Sequence, residues 1–407
     1  MLQPKTQPGK AQAIAASPIP STPAGRRGKA PVLFGLLDCL LVDDAEFQFA
    51  GALTGEEVEA VWRWLERDVA PELVGVVTAA ENPAIQFERS LPALLAAANA
   101  ELGAAAIDPE AERRLKIRLG SQDIRNRLPA VLDALKCVPL LEKARAFGRL
   151  INTMADGAPL ANALKSMAKY DSGLGAMLMM ATVGEVAQPA RLVVAAARSS
   201  AASSEEGLVR AGFAPVVEAV LAHAYQALGP MRQPAGTFAD VDLICRAVER
   251  FHRNIRAVRA NVGFDRRGRW GPMMAAMTRT ASGLLEPRLR EVIADINGAL
   301  RKPREADRLD QDSVLAALNG LYLLAAVRSA RDSLALNELC EETWNRSGQA
   351  LEMNVGRSMD ALREAPADPI ALARVNAGIK MSEVRFGVEY GRILAEARDK
   401  ITRRKAG

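Results

Sequence analysis

The sequence contains few of the residues that build the commonest metal and catalytic sites. Its 407 residues include only two histidines and four cysteines. Two histidines exclude HExxH and multi-histidine metal sites and argue against a Ser-His-Asp relay. The cysteines form no CxxC pair and lie about a hundred residues apart, so neither a disulfide scaffold nor a cysteine-rich zinc site is expected. We therefore predict no metal, no cofactor and a reducing, cytoplasmic location.

Long hydrophobic runs and aromatic side chains are also scarce. The longest strongly apolar stretch without a charge, residues 313–327, is shorter than the roughly 20 residues that a membrane span needs. It predicts a buried helix, and no transmembrane segment is expected. Aromatic residues make up 4% of the chain, which leaves few rings for stacking on nucleic-acid bases.

The formal net charge of +5 conceals an uneven distribution. Residues 1–37 carry five basic groups and no acid, whereas residues 38–206 carry 17 basic and 24 acidic groups. Residues 207–407 carry 31 basic and 24 acidic groups. The chain thus has a basic tail, an acidic half and a basic half, which bears on partners rather than on fold.

Helix start signals and 3.6-residue periodicity predict an all-α fold. Thr54 to Glu57 forms a capping box, Asp108 precedes a proline, and Ser121 precedes an apolar stripe. Strand signals are weak. After residues 199–206, a small polar stretch, the predicted helices lengthen and cover residues 238–262, 312–333, 335–364 and 368–402.

These patterns divide the chain into three parts. Residues 1–30 have the composition of a disordered basic tail. Residues 31–198 form an acidic helical domain, solenoid- or bundle-like, and residues 207–402 form a basic bundle of longer helices. The alanine content and the preference for arginine over lysine are typical of a bacterial chain from a GC-rich genome.

Several short motifs are weak candidates for chemistry. They are the acidic run Asp43, Asp44 and Glu46, the SxxK pair Ser166 and Lys169, and the glycines Gly173 and Gly175. Each lacks the companion residues of a working site, so no catalytic residue is predicted. His223 lies opposite an apolar stripe and is expected to face solvent, while the methionines at 177, 179, 180, 273, 274 and 277 are expected to fill the core.

The strongest candidate for binding is an arginine-rich helix followed by a basic turn. Residues 240–262 place their apolar residues in one narrow sector, with Arg246, Arg250 and Arg253 on the opposite side. Arg266, Arg267, Arg269 and Trp270 follow. Because guanidinium groups bind phosphates and carboxylates in a bidentate manner, these seven residues are the predicted anion- or partner-binding site.

Four interpretations of this basic surface remain open. It is a solvated face or one paired with the chain's own acids, a site for an acidic protein partner, a nucleic-acid surface, or a peripheral membrane contact. The first functional hypothesis is a non-enzymatic scaffold, adaptor or regulator acting through protein–protein surfaces. The alternatives are a nucleic-acid-binding protein, a secretion-system component or cargo with an acid-free leader, and a helical enzyme whose site is not visible in the sequence.

Overall fold

The computed structural model describes residues 31–42, 47–155, 157–167, 172–200, 202–234, 236–265, 267–301 and 308–403. Over these ranges the regular elements are helical, and β-structure is limited to two isolated bridges, Leu41 with Leu53 and Ser204 with Gly263. The predicted all-α fold is confirmed. The predicted disordered tail, residues 1–30, lies outside the described residues.

The two longest helices, α15 and α17, lie in the second half of the chain, and α4 is the longest of the first half. The α-helices, in chain order, are α1 (Pro31–Leu37), α2 (Gly55–Trp64), α3 (Pro71–Ala79), α4 (Pro83–Ile107), α5 (Pro109–Leu119), α6 (Gln122–Lys136), α7 (Val138–Ile151), α8 (Ala158–Met167), α9 (Ser172–Gly184), α10 (Ala190–Ser199), α11 (Glu205–Arg210), α12 (Ala214–Gln226), α13 (Leu228–Met231), α14 (Phe238–Arg259), α15 (Trp270–Ala299), α16 (Gln311–Ser329), α17 (Asn337–Glu364), α18 (Pro369–Phe386) and α19 (Val388–Arg403).

The predicted start signals begin real helices. Thr54 and Glu57 form both bonds of the capping box at α2, with N···O distances of 3.2 and 2.9 Å. The Asp108 carboxylate accepts from two backbone amides at the start of α5, and Ser121 accepts from a backbone amide at the start of α6. These caps satisfy amides that have no partner inside their own helix.

The prediction of one continuous helix over residues 368–402 is wrong. The structure divides it into α18 and α19 at Gly387, whose φ of +100° lies in the region that side chains with a Cβ avoid. The neighbouring apolar pattern continues on both sides of the break. The periodicity therefore identified the helical segments but not the turn between them.

One apolar core joins the helices on both sides of the polar stretch 199–206. Its buried residues run from Leu33 to Met381. Helix α9 packs against α7 and α12, and α12 packs in turn against α14. A smaller apolar cluster lies where α17, α18 and α19 meet. The division into two helical domains remains a prediction.

Helix α15 receives a charged side chain at each end. At its start, the buried Glu205 carboxylate accepts from the backbone amides of Arg269 and Trp270 at 2.7 and 3.2 Å. At its end, the buried Arg374 guanidinium donates two bonds, of 3.0 and 2.7 Å, to the Leu300 carbonyl. The negative charge lies at the positive end of the helix dipole and the positive charge at its negative end.

We expect Arg374→Met to lower the free energy of unfolding by about 2 kcal/mol, because the Leu300 carbonyl would lose both hydrogen bonds. The measurement is urea unfolding followed by circular dichroism. Arg346→Met is the matched control, since Arg346 is exposed and pairs with Glu342 on its own helix. The control should change stability by less than about 0.5 kcal/mol. Equal losses in the two variants would contradict the assigned role of Arg374.

Candidate functional site

Helix α14 has the two faces that its sequence predicts. The capping box of Thr237 and Asp240 begins the helix. Its apolar stripe is buried and consists of Ile244, Val248, Phe251, Ile255 and Val258. This stripe holds α14 against α10, α12 and α16. The opposite side of the helix therefore faces outward along most of its length.

The three predicted arginines of α14 have different surroundings. Arg246 points outward and pairs with Asp242 one turn earlier, with an N···O distance of 2.7 Å. Arg253 is also exposed, and its Nη1 donates to the Ala187 carbonyl at 3.2 Å. Arg250 is only partly accessible, because it lies over α12 rather than over solvent. Of the three predicted arginines, Arg246 and Arg253 thus face outward, and Arg250 points toward the protein.

Arg250 binds His223, and the prediction that His223 faces solvent is wrong. The imidazole is 2% exposed, because α12 is buried on nearly every side. His223 Nε2 lies 2.7 Å from the Met180 carbonyl, and Nδ1 lies 2.9 Å from Arg250 Nη2. A carbonyl can only accept and a guanidinium can only donate. The neutral tautomer with its proton on Nε2 therefore satisfies both contacts.

Burial and neighbouring charges lower the pKa values of both His223 and Arg250. Burial, together with the nearby Arg250 charge, lowers the pKa of His223 to about 3. Burial and the neighbouring Arg253 lower the pKa of Arg250 to about 10, while Glu185 acts in the opposite sense. His223 is therefore neutral near pH 7 and adds no second positive charge beside Arg250.

Two further arginines, missed by the sequence interpretation, lie beside the turn between α9 and α10. Arg149 on α7 pairs with Glu185 at an N···O distance of 3.4 Å. Arg191 on α10 donates to the Ile151 and Met154 carbonyls. Arg149 and Arg250 are a hundred positions apart in the chain. No local pattern could therefore have connected them.

The basic turn lies at a second place, the start of α15. Arg266 is outside the described residues, and Arg267 is exposed. Arg269 binds the chain itself, through Glu218 at 3.5 Å and the Gln48 carbonyl at 2.8 Å. Trp270 is fully buried, and its indole nitrogen lies 3.5 Å from Glu218. No hydrogen bond or ion pair between described residues links this group to the arginines of α14.

The remaining candidates are explained by local structure. Ser166 donates to the Asn162 carbonyl of its own helix, and Gly173 and Gly175 lie inside α9. All six methionines expected in the core are buried, as predicted. Asp43, Asp44, Glu46 and Lys169 lie outside the described residues. Within the described part of the chain, no group of three or more His, Cys, Asp or Glu side chains is placed to hold a metal ion.

The structure therefore has three charged regions. They are the arginines around the α9–α10 turn, the start of α15 where Glu205 and Arg269 form hydrogen bonds, and the exposed side of α14. Comparison with known proteins assigns none of them. No protein-family model matches the chain, and no curated protein or solved structure matches it.

Proposed function

We propose that the chain is a non-enzymatic helical scaffold or adaptor that binds a helix of another protein along the outer face of α4. The observation that carries the proposal is the composition of this face. Between residues 90 and 107 the one charged residue, Glu101, is directed toward α5, where it pairs with Arg118. The positions most exposed to solvent hold no charged side chain. They are Pro92, Ala93, Ala96, Asn99, Ala100, Gly103, Ala104, Ala106 and Ile107.

Helix α4 is unusually apolar for a helix at the surface. Its most apolar 18-residue window has a mean hydropathy of 1.4, and only 28% of that window is buried. In the described part of the chain it is the one helix long and apolar enough, by length and composition alone, to cross a membrane. Its inner face is anchored by Phe87, Leu91, Leu94 and Ala98, which pack into the core. An exposed apolar strip of this kind marks an interaction surface.

The outer face of α19, another helix at the surface, differs from that of α4. Helix α19 exposes Glu389, Arg392, Glu396 and Lys400, so its outer face is charged at each turn. Solvent exposure therefore does not by itself account for the missing charges on α4. A binding surface that is covered when a partner is bound accounts for the absence of charged side chains on the outer face of α4.

The dimensions of the strip favour a single helix as its occupant. Eighteen residues span about 27 Å, and the strip is one helix, about 10 Å, wide. The strip therefore presents roughly 270 Å², about a third of what each partner of a stable complex buries, so we expect a single helix to bind here transiently. Small side chains allow close approach, so we expect a partner helix whose contacting face carries large aliphatic residues. A lipid surface fits less well, because membrane-surface helices carry Trp, Phe or Leu on the apolar face.

Less supports the alternative of nucleic-acid binding. Arg250 and Arg269 bind other parts of the chain, and Trp270 is buried away from any base. Arg246 is already paired with Asp242. These contacts agree with the interpretation in which the basic stretch meets its own chain.

Site-specific photo-crosslinking in cells that produce the protein tests the α4 surface. A benzophenone side chain at Ala100 should give an adduct with one protein of defined mass. The same group at Glu396 on α19 is the matched control and should give none. Adding Ala96→Glu to the first chain should reduce the adduct at least tenfold, because it places a charge in the apolar interface. The thermal midpoint should not change, since Ala96 is exposed.

Three outcomes would contradict the proposal. They are equal adducts from the two positions, adducts with lipid alone, and an adduct yield that Ala96→Glu leaves unchanged. Mass spectrometry of the purified adduct distinguishes among them.

A further inference from the structure

The arginines around the α9–α10 turn outnumber the acids that they meet. This arginine cluster is defined as Arg149, Arg250 and Arg253, with Glu185 at its centre. Arg149 is paired with Glu185 at 3.4 Å, and Arg253 reaches the neighbouring Ala187 carbonyl. Glu185 and Arg253 both lie near enough to Arg250 to change its ionisation. Three positive charges therefore share one negative charge.

The Arg250 guanidinium is held in place with donors to spare. Its Nη2 donates to His223, whose opposite nitrogen is fixed by the Met180 carbonyl. Its Nε and Nη1 make no hydrogen bond to any other described residue. A guanidinium has five N–H groups in a rigid fork, so several remain for a ligand. The neutral imidazole helps to hold the Arg250 guanidinium in place and does not offset its positive charge.

Other arginines near the cluster have partners of their own. Arg145 pairs with Asp38 and Glu142 on the α7 side. Arg191 donates to the Ile151 and Met154 carbonyls, which holds it against the end of α7. Arg246, one turn before Arg250, pairs with Asp242. Within the arginine cluster, Arg149 pairs with Glu185, while Arg250 and Arg253 form no ion pair with a described carboxylate.

We propose that this arginine cluster binds a phosphate group, held between the outer side of α14 and the α9–α10 turn. Phosphate offers three acceptor oxygens and a charge of about −2, so it can engage several guanidinium groups, whereas a carboxylate has only two oxygens. Arg250 presents the fixed fork, and Arg149 and Arg253 add exposed guanidinium groups beside the same turn. Forked donors are suited to the several acceptor oxygens of phosphate.

The ionisation of Arg250 agrees with this geometry. Its pKa is lowered to about 10 because burial and Arg253 outweigh the effect of Glu185. A bound dianion would supply the compensation that the protein itself does not. The site lies on α7, on α14 and on the α9–α10 turn, so it does not depend on the proposed surface of α4.

The test uses the full chain titrated with inorganic phosphate and followed by ³¹P NMR line width and by the thermal midpoint. We expect saturable binding with a dissociation constant of about 1 mM or tighter. The thermal midpoint should rise with phosphate but not with sodium chloride at equal ionic strength. A second arm with O-phosphoserine distinguishes the sources of the group: comparable binding indicates a phosphate carried by a larger ligand, and its loss indicates free phosphate.

Two variants localise the site. Arg253→Gln should weaken phosphate binding about tenfold, the value of one lost charge-assisted bond. Because Arg253 is exposed, the variant should keep the wild-type thermal midpoint without phosphate. Arg346→Gln removes an equally exposed arginine on α17 and should bind phosphate as the wild type does. The proposal is overturned if phosphate and chloride act alike, or if the two variants lose affinity equally.

Discussion

Lowering the pH from 6.5 toward 3 is expected to remove about 1.4 kcal/mol of stability per pH unit through His223 alone. The pKa of His223 falls from 6.5 to about 3 on folding. Between these values the unfolded chain binds a proton that the folded chain excludes, so stability rises with pH across this window. Above about pH 7 the side chain is neutral in both states and contributes no pH dependence. Protonation inside the fold would place a second positive charge against Arg250.

The measurement compares urea unfolding of the wild type and His223→Gln from pH 7 to pH 4. Glutamine offers one donor and one acceptor and does not titrate, so the slope of stability against pH should be smaller by about 1.4 kcal/mol per unit in the variant. His252→Gln is the matched control. His252 is half-buried and burial also lowers its pKa, but less strongly, so the control should change the slope less. Parallel curves for the wild type and His223→Gln would refute the assignment.

Replacing Gly148 with alanine is expected to destabilise the protein by about 2 kcal/mol, although alanine is the better helix former. A Cβ at Gly148 would lie 2.3 Å from the Thr182 carbonyl oxygen and 2.9 Å from the Cβ of Glu185. Both obstacles are close to the backbone of α9 and cannot rotate away. Helix propensity alone would give a gain of about 1 kcal/mol. Forcing α7 and α9 apart costs about 3 kcal/mol and reverses that sign.

The variant Gly356→Ala is expected to change the stability of the protein in the opposite direction. Gly356 lies inside α17, and a Cβ there would meet no atom within 4 Å. Only the propensity term remains, so this variant should be about 1 kcal/mol more stable than the wild type. Chemical denaturation of both variants gives the comparison. If Gly148→Ala is as stable as Gly356→Ala, the two helices are not in close contact at Gly148.

Local patterns in the sequence were sufficient to predict the helical segments and the starts of α2, α5 and α6. The caps at Thr54, Asp108 and Ser121 act within three residues, so they can be recognised without knowing the fold. The same locality explains the missed break at Gly387. An isolated glycine inside an apolar pattern is compatible both with a continued helix and with a turn, and its positive φ is visible only in three dimensions.

The site was only partly predictable because its chemistry depends on distant contacts. The periodicity of α14 placed Arg246, Arg250 and Arg253 on one side of the helix. It could not distinguish the outward-facing Arg253 from Arg250, which α12 covers. The position of His223 depended on how many helices surround α12. Arg149 enters the cluster from a helix a hundred residues away, and only the fold brings it there.

The charged residues at the two ends of α15 have a consequence for the order in which the chain is made. Glu205 leaves the ribosome before the helix whose start it caps, so that end can be completed as soon as α15 forms. Arg374 follows Leu300 by 74 residues, and the end of α15 must wait for it. During synthesis of α16 and α17 the helix is therefore capped at one end only. We expect a nascent chain that stops before α18 to have a frayed α15, and docking of α18 to be the step that completes it.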